Sequence, residues 1–149
     1  MPDDDALPRS DTDEIGDLNT PAIVTIASFM MMGAGLFTAT AGGQLWSLVS
    51  VYTLWAKALP WLMLASGLFS MFVGGTMSRG RFWAALAAVP LTGSMTMLCL
   101  VWTVWALFGG FFSLLPLVAG FMSFAALLIC PFAIPGAKRV TENRAKLFE

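Results

Sequence analysis

From Ala22 to Ala41 the chain runs without a charged residue. Thr20 is placed to cap a helix there, and Pro21 suits its first position. About twenty residues at 1.5 Å each match a hydrocarbon layer of roughly 30 Å, so 21–41 predicts a first membrane-crossing helix. Gly42-Gly43 breaks the run, and 44–57 then carries Trp46, Tyr52 and Trp55 before Lys57. Amphipathic rings prefer the headgroup level, so 44–57 reads as an interfacial segment and 60–77 as a second span. The alternative is one tilted helix from Trp46 onward, kinked at Pro60. Ser78-Arg79-Gly80-Arg81 is a polar turn, 82–108 a third span, and 111–135 a fourth after Gly109-Gly110. Pro90, Pro116 and Pro131 need not end their helices, because neighbouring groups in a bundle re-satisfy the freed carbonyls. The expected architecture is an all-α integral membrane protein, a four-transmembrane-helix bundle over 21–135. A 1–20 acidic tail and a 136–149 basic tail flank it, and both termini are expected to be cytoplasmic.

Charge sharpens this picture. Of the 149 residues 58% are hydrophobic and 11% charged, with mean hydropathy +0.78, and no Asp or Glu occurs between Asp17 and Glu142. The net charge of −1 averages an acidic N-terminus with a basic C-terminus, which have to be read separately. The N-terminal stretch carries acids against a single Arg9, unlike the basic start of a secretory signal, so the first helix is expected to stay in the mature protein. With four spans, Arg79, Arg81, Lys138, Arg139, Arg144 and Lys146 share one side and only Lys57 falls on the other; the positive-inside rule makes the first side cytoplasmic. Trp46, Tyr52, Trp55, Trp61, Trp102 and Trp105 are expected near the outer membrane interface and Trp83 near the inner one. The expected location is a bacterial cytoplasmic (inner) membrane, crossed several times.

The same residues exclude much chemistry. There is no histidine, which removes the commonest metal and haem ligand and the usual proton shuttle. No carboxylate falls within the spans to relay protons or pair with a transported ion. Lys57 is expected to snorkel to the headgroups. Cys99 and Cys130 differ in predicted depth by roughly 15–20 Å, too far for a disulfide. The ten methionines never stand three or four apart on a helix face, so they read as packing residues rather than as a copper site. No catalytic, cofactor-binding or metal-ligating residue is therefore expected, and the protein is not expected to be an enzyme.

What the helices offer is contact surface. Gly35, Ala39 and Gly43 align at four-residue spacing, as do Ser66, Ser70, Gly74 and Ser78, and Ala84, Ala88, Thr92 and Thr96. Small-residue stripes let helix backbones approach closely, and their hydroxyls can bond across the contact. Gly35, Ala39, Gly43, Ser66, Ser70 and Gly74 are the candidate contact residues, either inside the bundle or with a helix outside it. Thr92, Ser94 and Thr96, beside Pro90, either satisfy their own backbone or bind a lipid or quinone. Val140, Arg144, Leu147 and Phe148 make the basic tail amphipathic, suited to an anionic leaflet. The expected partners are membrane lipids and transmembrane helices of a larger complex or homo-oligomer, with no nucleic acid. The function this favours is a non-catalytic small membrane subunit that stabilises or helps assemble a membrane complex. The alternative is a small homo-oligomeric channel, carrier or holin-like pore.

Overall fold

The computed structural model describes residues 20–48, 54–109 and 114–146. Within them the chain is all-helical: α1 Ala22–Leu48, α2 Leu54–Met77, α3 Phe82–Gly109 and α4 Leu114–Lys146. Four helices are long and apolar enough to cross a membrane. Close pairs run in opposite senses along neighbouring helices: Gly35 meets Gly67 while Gly74 meets Ser28, Cys99 meets Gly120, and Gly136 meets Val24. The helices thus alternate in direction. Each packs on the next in sequence and α4 closes the ring against α1, with α1–α2 the most extensive seam and α2–α3 the least.

One rule organises the interior. The buried positions of α1 include Val24, Ala27, Met31, Ala34, Thr38, Ala41 and Leu45; those of α3 include Ala85, Ala88, Thr92, Met95, Cys99, Trp102 and Ala106. In α4 they are Pro116, Ala119, Ser123, Ala126, Cys130, Ala133, Ala137 and Val140, and α2 buries Pro60, Met63, Gly67, Ser70, Gly74 and Met77. All four series alternate steps of three and four, the heptad spacing that keeps one seam facing its neighbours in a left-handed bundle. The seams are built largely from Ala, Gly, Ser and Thr, with Met31, Met63, Met77 and Met95 among the largest side chains buried fully between them. Methionine's flexible thioether fills the irregular gaps that such small residues leave.

The exterior is the reverse. Phe29, Phe72, Leu86, Met97, Leu100, Phe108, Phe121 and Phe132 all point outward, Phe108 at 90% exposure. A water-soluble fold puts bulky apolar groups inside; small residues inside and bulky apolar ones outside suit a bundle whose solvent is lipid. The molecule is a bundle of four helices long and apolar enough to cross a membrane.

Three boundaries depart from the sequence pattern. The carbonyl of Pro21 accepts the first amide bonds of α1, from Val24 at 2.9 Å and Thr25 at 3.2 Å, one residue later than the expected cap at Thr20. Gly42-Gly43 does not break α1, which continues to Leu48. The absent side chain of Gly42 lets α2 approach: a Cβ there would stand 2.7 Å from Pro60 O and from Leu64 N. Residues 44–48 are therefore helical, α2 begins at Leu54 and carries Lys57 and Pro60 within it, and the remainder of the 44–57 segment lies outside the described residues. At the other end α4 passes Pro131 and Pro135 without stopping and runs to Lys146. Its seam keeps packing beyond the prolines, with Gly136 against Val24 and Pro21, and Val140 against Gly80. The basic tail is thus largely the last turns of α4.

Candidate functional site

The candidate contact residues are mostly spent inside the chain. A Cβ on Gly35 would lie 2.7 Å from Gly67 O, and one on Gly67 would lie 2.5 Å from Ala39 N. Ser70 is fully buried and donates its hydroxyl to Met31 O at 3.1 Å, across from α2 to α1. Gly74 packs on Met32 and Ser28. Gly35, Ala39, Ser70 and Gly74 therefore form one internal α1–α2 seam, and a helix outside the bundle cannot use these faces while α1 and α2 cover each other there. Ser66 is half-buried and gives its hydroxyl to Met63 O. Gly43 is the exception: it is exposed, and a Cβ there would meet nothing within 4 Å.

The reason is rotational. A step of four residues advances about 40° around a helix with 3.6 residues per turn, so two steps carry a position roughly 80° off the seam, while seven residues drift only about 20°. Gly42, seven residues after Gly35, stays on the contact and Gly43 leaves it. By the same rule Gly67, seven before Gly74, is the residue that α1 meets; the glycine pair Gly67 and Gly74 was the signal for it.

Outward-facing Gly43 belongs to a shallow recess between α1 and α2, of about 120 Å³, lined by Gly42, Gly43, Trp46, Pro60, Trp61 and Leu64. Trp46 and Trp61 pack edge to face there with ring centroids 5.1 Å apart. A second, larger cleft of about 390 Å³ lies between α3 and α4, walled by Leu100, Leu117, Phe121 and Phe124, with Thr96 and Thr103 along it. Neither hydroxyl needs a ligand: Thr96 donates to Thr92 O at 2.8 Å and Thr103 to Cys99 O at 2.7 Å. Thr92 and Ser94 likewise bond to carbonyls of their own helix. Thr92 is buried and Ser94 exposed, so the Thr92, Ser94 and Thr96 hydroxyls do not converge on one site.

The expected interface residues divide. Trp46, Trp61, Trp83 and Trp105 are exposed, Arg79 and Arg81 are exposed at the α2–α3 turn, and Lys57 is half-buried in the first turn of α2. Trp102 faces into the bundle rather than outward: it is 3% exposed and belongs to the core cluster of Leu45, Met63 and Ala106. It occupies a heptad position of α3, which takes its ring into the bundle, and Trp105, three residues on, is turned outward. Tyr52 lies outside the described residues; Trp55 stands at the start of α2. The N-terminal acids and Leu147 and Phe148 also lie outside the described residues. Cys99 and Cys130 are free, buried thiols in separate core clusters, Cys99 in that of Trp102 and Cys130 in that of Val24. Trp102 Nε1 and Ser123 Oγ are buried without a hydrogen-bond partner.

The basic end is drawn together by Gly80. Its φ of +72° is the left-handed conformation that favours glycine over residues with a Cβ. A Cβ there would stand 2.6 Å from a methyl of Val140. Thr141 donates to Gly80 O at 3.2 Å, tying the α2–α3 turn to α4. Beside this contact a cleft of about 340 Å³ is lined by Gly80, Arg81, Phe82, Trp83, Thr141 and Arg144.

Compared with known proteins, the chain matches no family profile, no curated protein and no solved structure.

Proposed function

We propose that this protein is a non-catalytic membrane subunit, held in a bacterial cytoplasmic membrane with both termini in the cytoplasm, that packs against and helps assemble a larger membrane complex. The carrying observation is how the side-chain hydroxyls and small residues are used. Thr38, Thr92, Thr96 and Thr103 each donate to a carbonyl of their own helix, and the heptad seams close on each other through Ala and Gly. A single bundle of this kind offers its surroundings an outer surface rather than a lined path. On that surface, Gly43 beside the Trp46–Trp61 pair is the place where a backbone could come close and an aromatic wall could hold it. Lipid gives helices no hydrophobic drive to associate, so such a contact rests on close packing and is sensitive to added volume.

The proposed orientation is supported by Arg79, Arg81, Lys138, Arg139, Arg144 and Lys146 falling on one side of the four spans. Reporter fusions in the α1–α2 connection, after Gly80, in the α3–α4 connection and after Glu149 test it; the reading requires outside, inside, outside, inside. The contact role itself is tested by whether a Gly43→Leu variant keeps the wild-type assembly in mild detergent.

A further inference from the structure

We propose that the cleft at the basic end of the bundle binds the phosphate headgroup of an anionic phospholipid. Two arginines from opposite ends of the α3–α4 hairpin are among the residues lining one cavity: Arg81 just before α3 and Arg144 in the last turn of α4. They come together through a specific tertiary contact, Val140 seated on Gly80 and Thr141 hydrogen-bonded to Gly80 O. A tail lying loosely on a membrane would not bring them into one cleft. Among the described residues Glu142 is the only carboxylate, and it lies 3.7 Å from Lys138 Nζ, outside the residues lining the cavity. Two like charges beside one cavity favour an anion between them, and the planar fork of arginine matches the oxygens of a phosphate. The start of α3 adds to this field, because its first turn carries no acid and its amide dipoles favour negative charge.

The other walls select the source of that phosphate. Phe82 and Trp83 give the cleft an apolar side, and an amphipathic indole sits well at headgroup level. Inorganic phosphate would meet the same arginines but gain nothing from those rings; a phospholipid satisfies both. The site rests on the membrane reading of the chain alone and stands whether or not the protein assembles with others.

The test is native mass spectrometry of the purified full chain in mild detergent, titrated separately with phosphatidylglycerol, phosphatidylcholine and inorganic phosphate. Phosphatidylglycerol should bind and outcompete phosphatidylcholine. Arg81→Gln with Arg144→Gln should weaken it about tenfold or more, whereas Arg79→Gln with Arg139→Gln, an equal charge loss outside the cleft, should change it by about twofold or less. Arg81→Lys with Arg144→Lys, which keeps the charge and loses the fork, should fall between; this pair decides the matter if the glutamine pair unfolds. Equal weakening by the two glutamine pairs, a lysine pair indistinguishable from wild type, or equal binding of phosphatidylcholine would overturn the site. Displacement of the lipid by inorganic phosphate at the same concentration would overturn the assignment to lipid.

Discussion

Ser70 and Ser123 both occupy buried seam positions, on α2 and α4, yet only Ser70 has a partner, donating to Met31 O at 3.1 Å while Ser123 Oγ has none. Their removal should therefore have opposite consequences. Ser70→Ala breaks an interhelical hydrogen bond and should cost about 0.6 to 1.7 kcal/mol. Ser123→Ala removes an unpaired polar atom from a small-residue seam and should leave stability unchanged or raise it. Thermal unfolding of both variants in one detergent checks the pair; equal destabilisation would contradict it.

The close approach of α1 and α2 predicts a contrast between two glycines. A methyl on Gly67 would stand 2.6 Å from Gly35 O, a backbone atom that cannot swing away, whereas one on Gly75 would meet nothing within 4 Å. Gly67→Ala should destabilise by about 1 to 3 kcal/mol through overpacking. Gly75→Ala should be neutral or stabilising, since alanine favours the helix by up to about 1 kcal/mol. Denaturant titration followed by helical circular dichroism reads both.

Much of this was legible along the chain. Uncharged runs gave the four helices, and the Ser78 to Arg81 turn falls between α2 and α3 as its polarity requires. The contact residues were legible only in part, because four-residue spacing is correct for neighbours and drifts over longer distances. It therefore selected Gly43 where packing uses Gly42. The inward turn of Trp102 was not legible for a related reason: an aromatic near a span end suits the headgroups by type, but its position on the heptad turns it inward. The passage of α4 through Pro135 was not readable locally, since the segment beyond it packs on residues distant in sequence, Gly136 against Val24 and Val140 against Gly80.

That contact carries its own prediction. Gly80→Ala should suffer twice, from a residue with a Cβ held at φ +72° and from collision with Val140. The first part costs roughly 1 to 2 kcal/mol. Adding Val140→Ala should relieve the collision and leave the backbone strain. The double variant should therefore unfold at a temperature above that of Gly80→Ala alone but below wild type. Recovery to the wild-type temperature, or no recovery at all, would contradict this division.

The inner faces of the four helices are consumed in folding, and the proposed contact role falls to the outer surface at Gly43. The most direct measurement is the mass of the purified assembly in mild detergent, for wild type and for Gly43→Leu, with helicity and thermal unfolding recorded on the same samples. A Cβ at position 43 meets nothing within 4 Å and the position is exposed, so the variant should fold as wild type does. Wild type should travel as an assembly larger than the 16.0 kDa chain, and Gly43→Leu should yield the folded chain stripped of its partner. A wild type that is already a single chain, or a Gly43→Leu variant that keeps the full assembly, would contradict it.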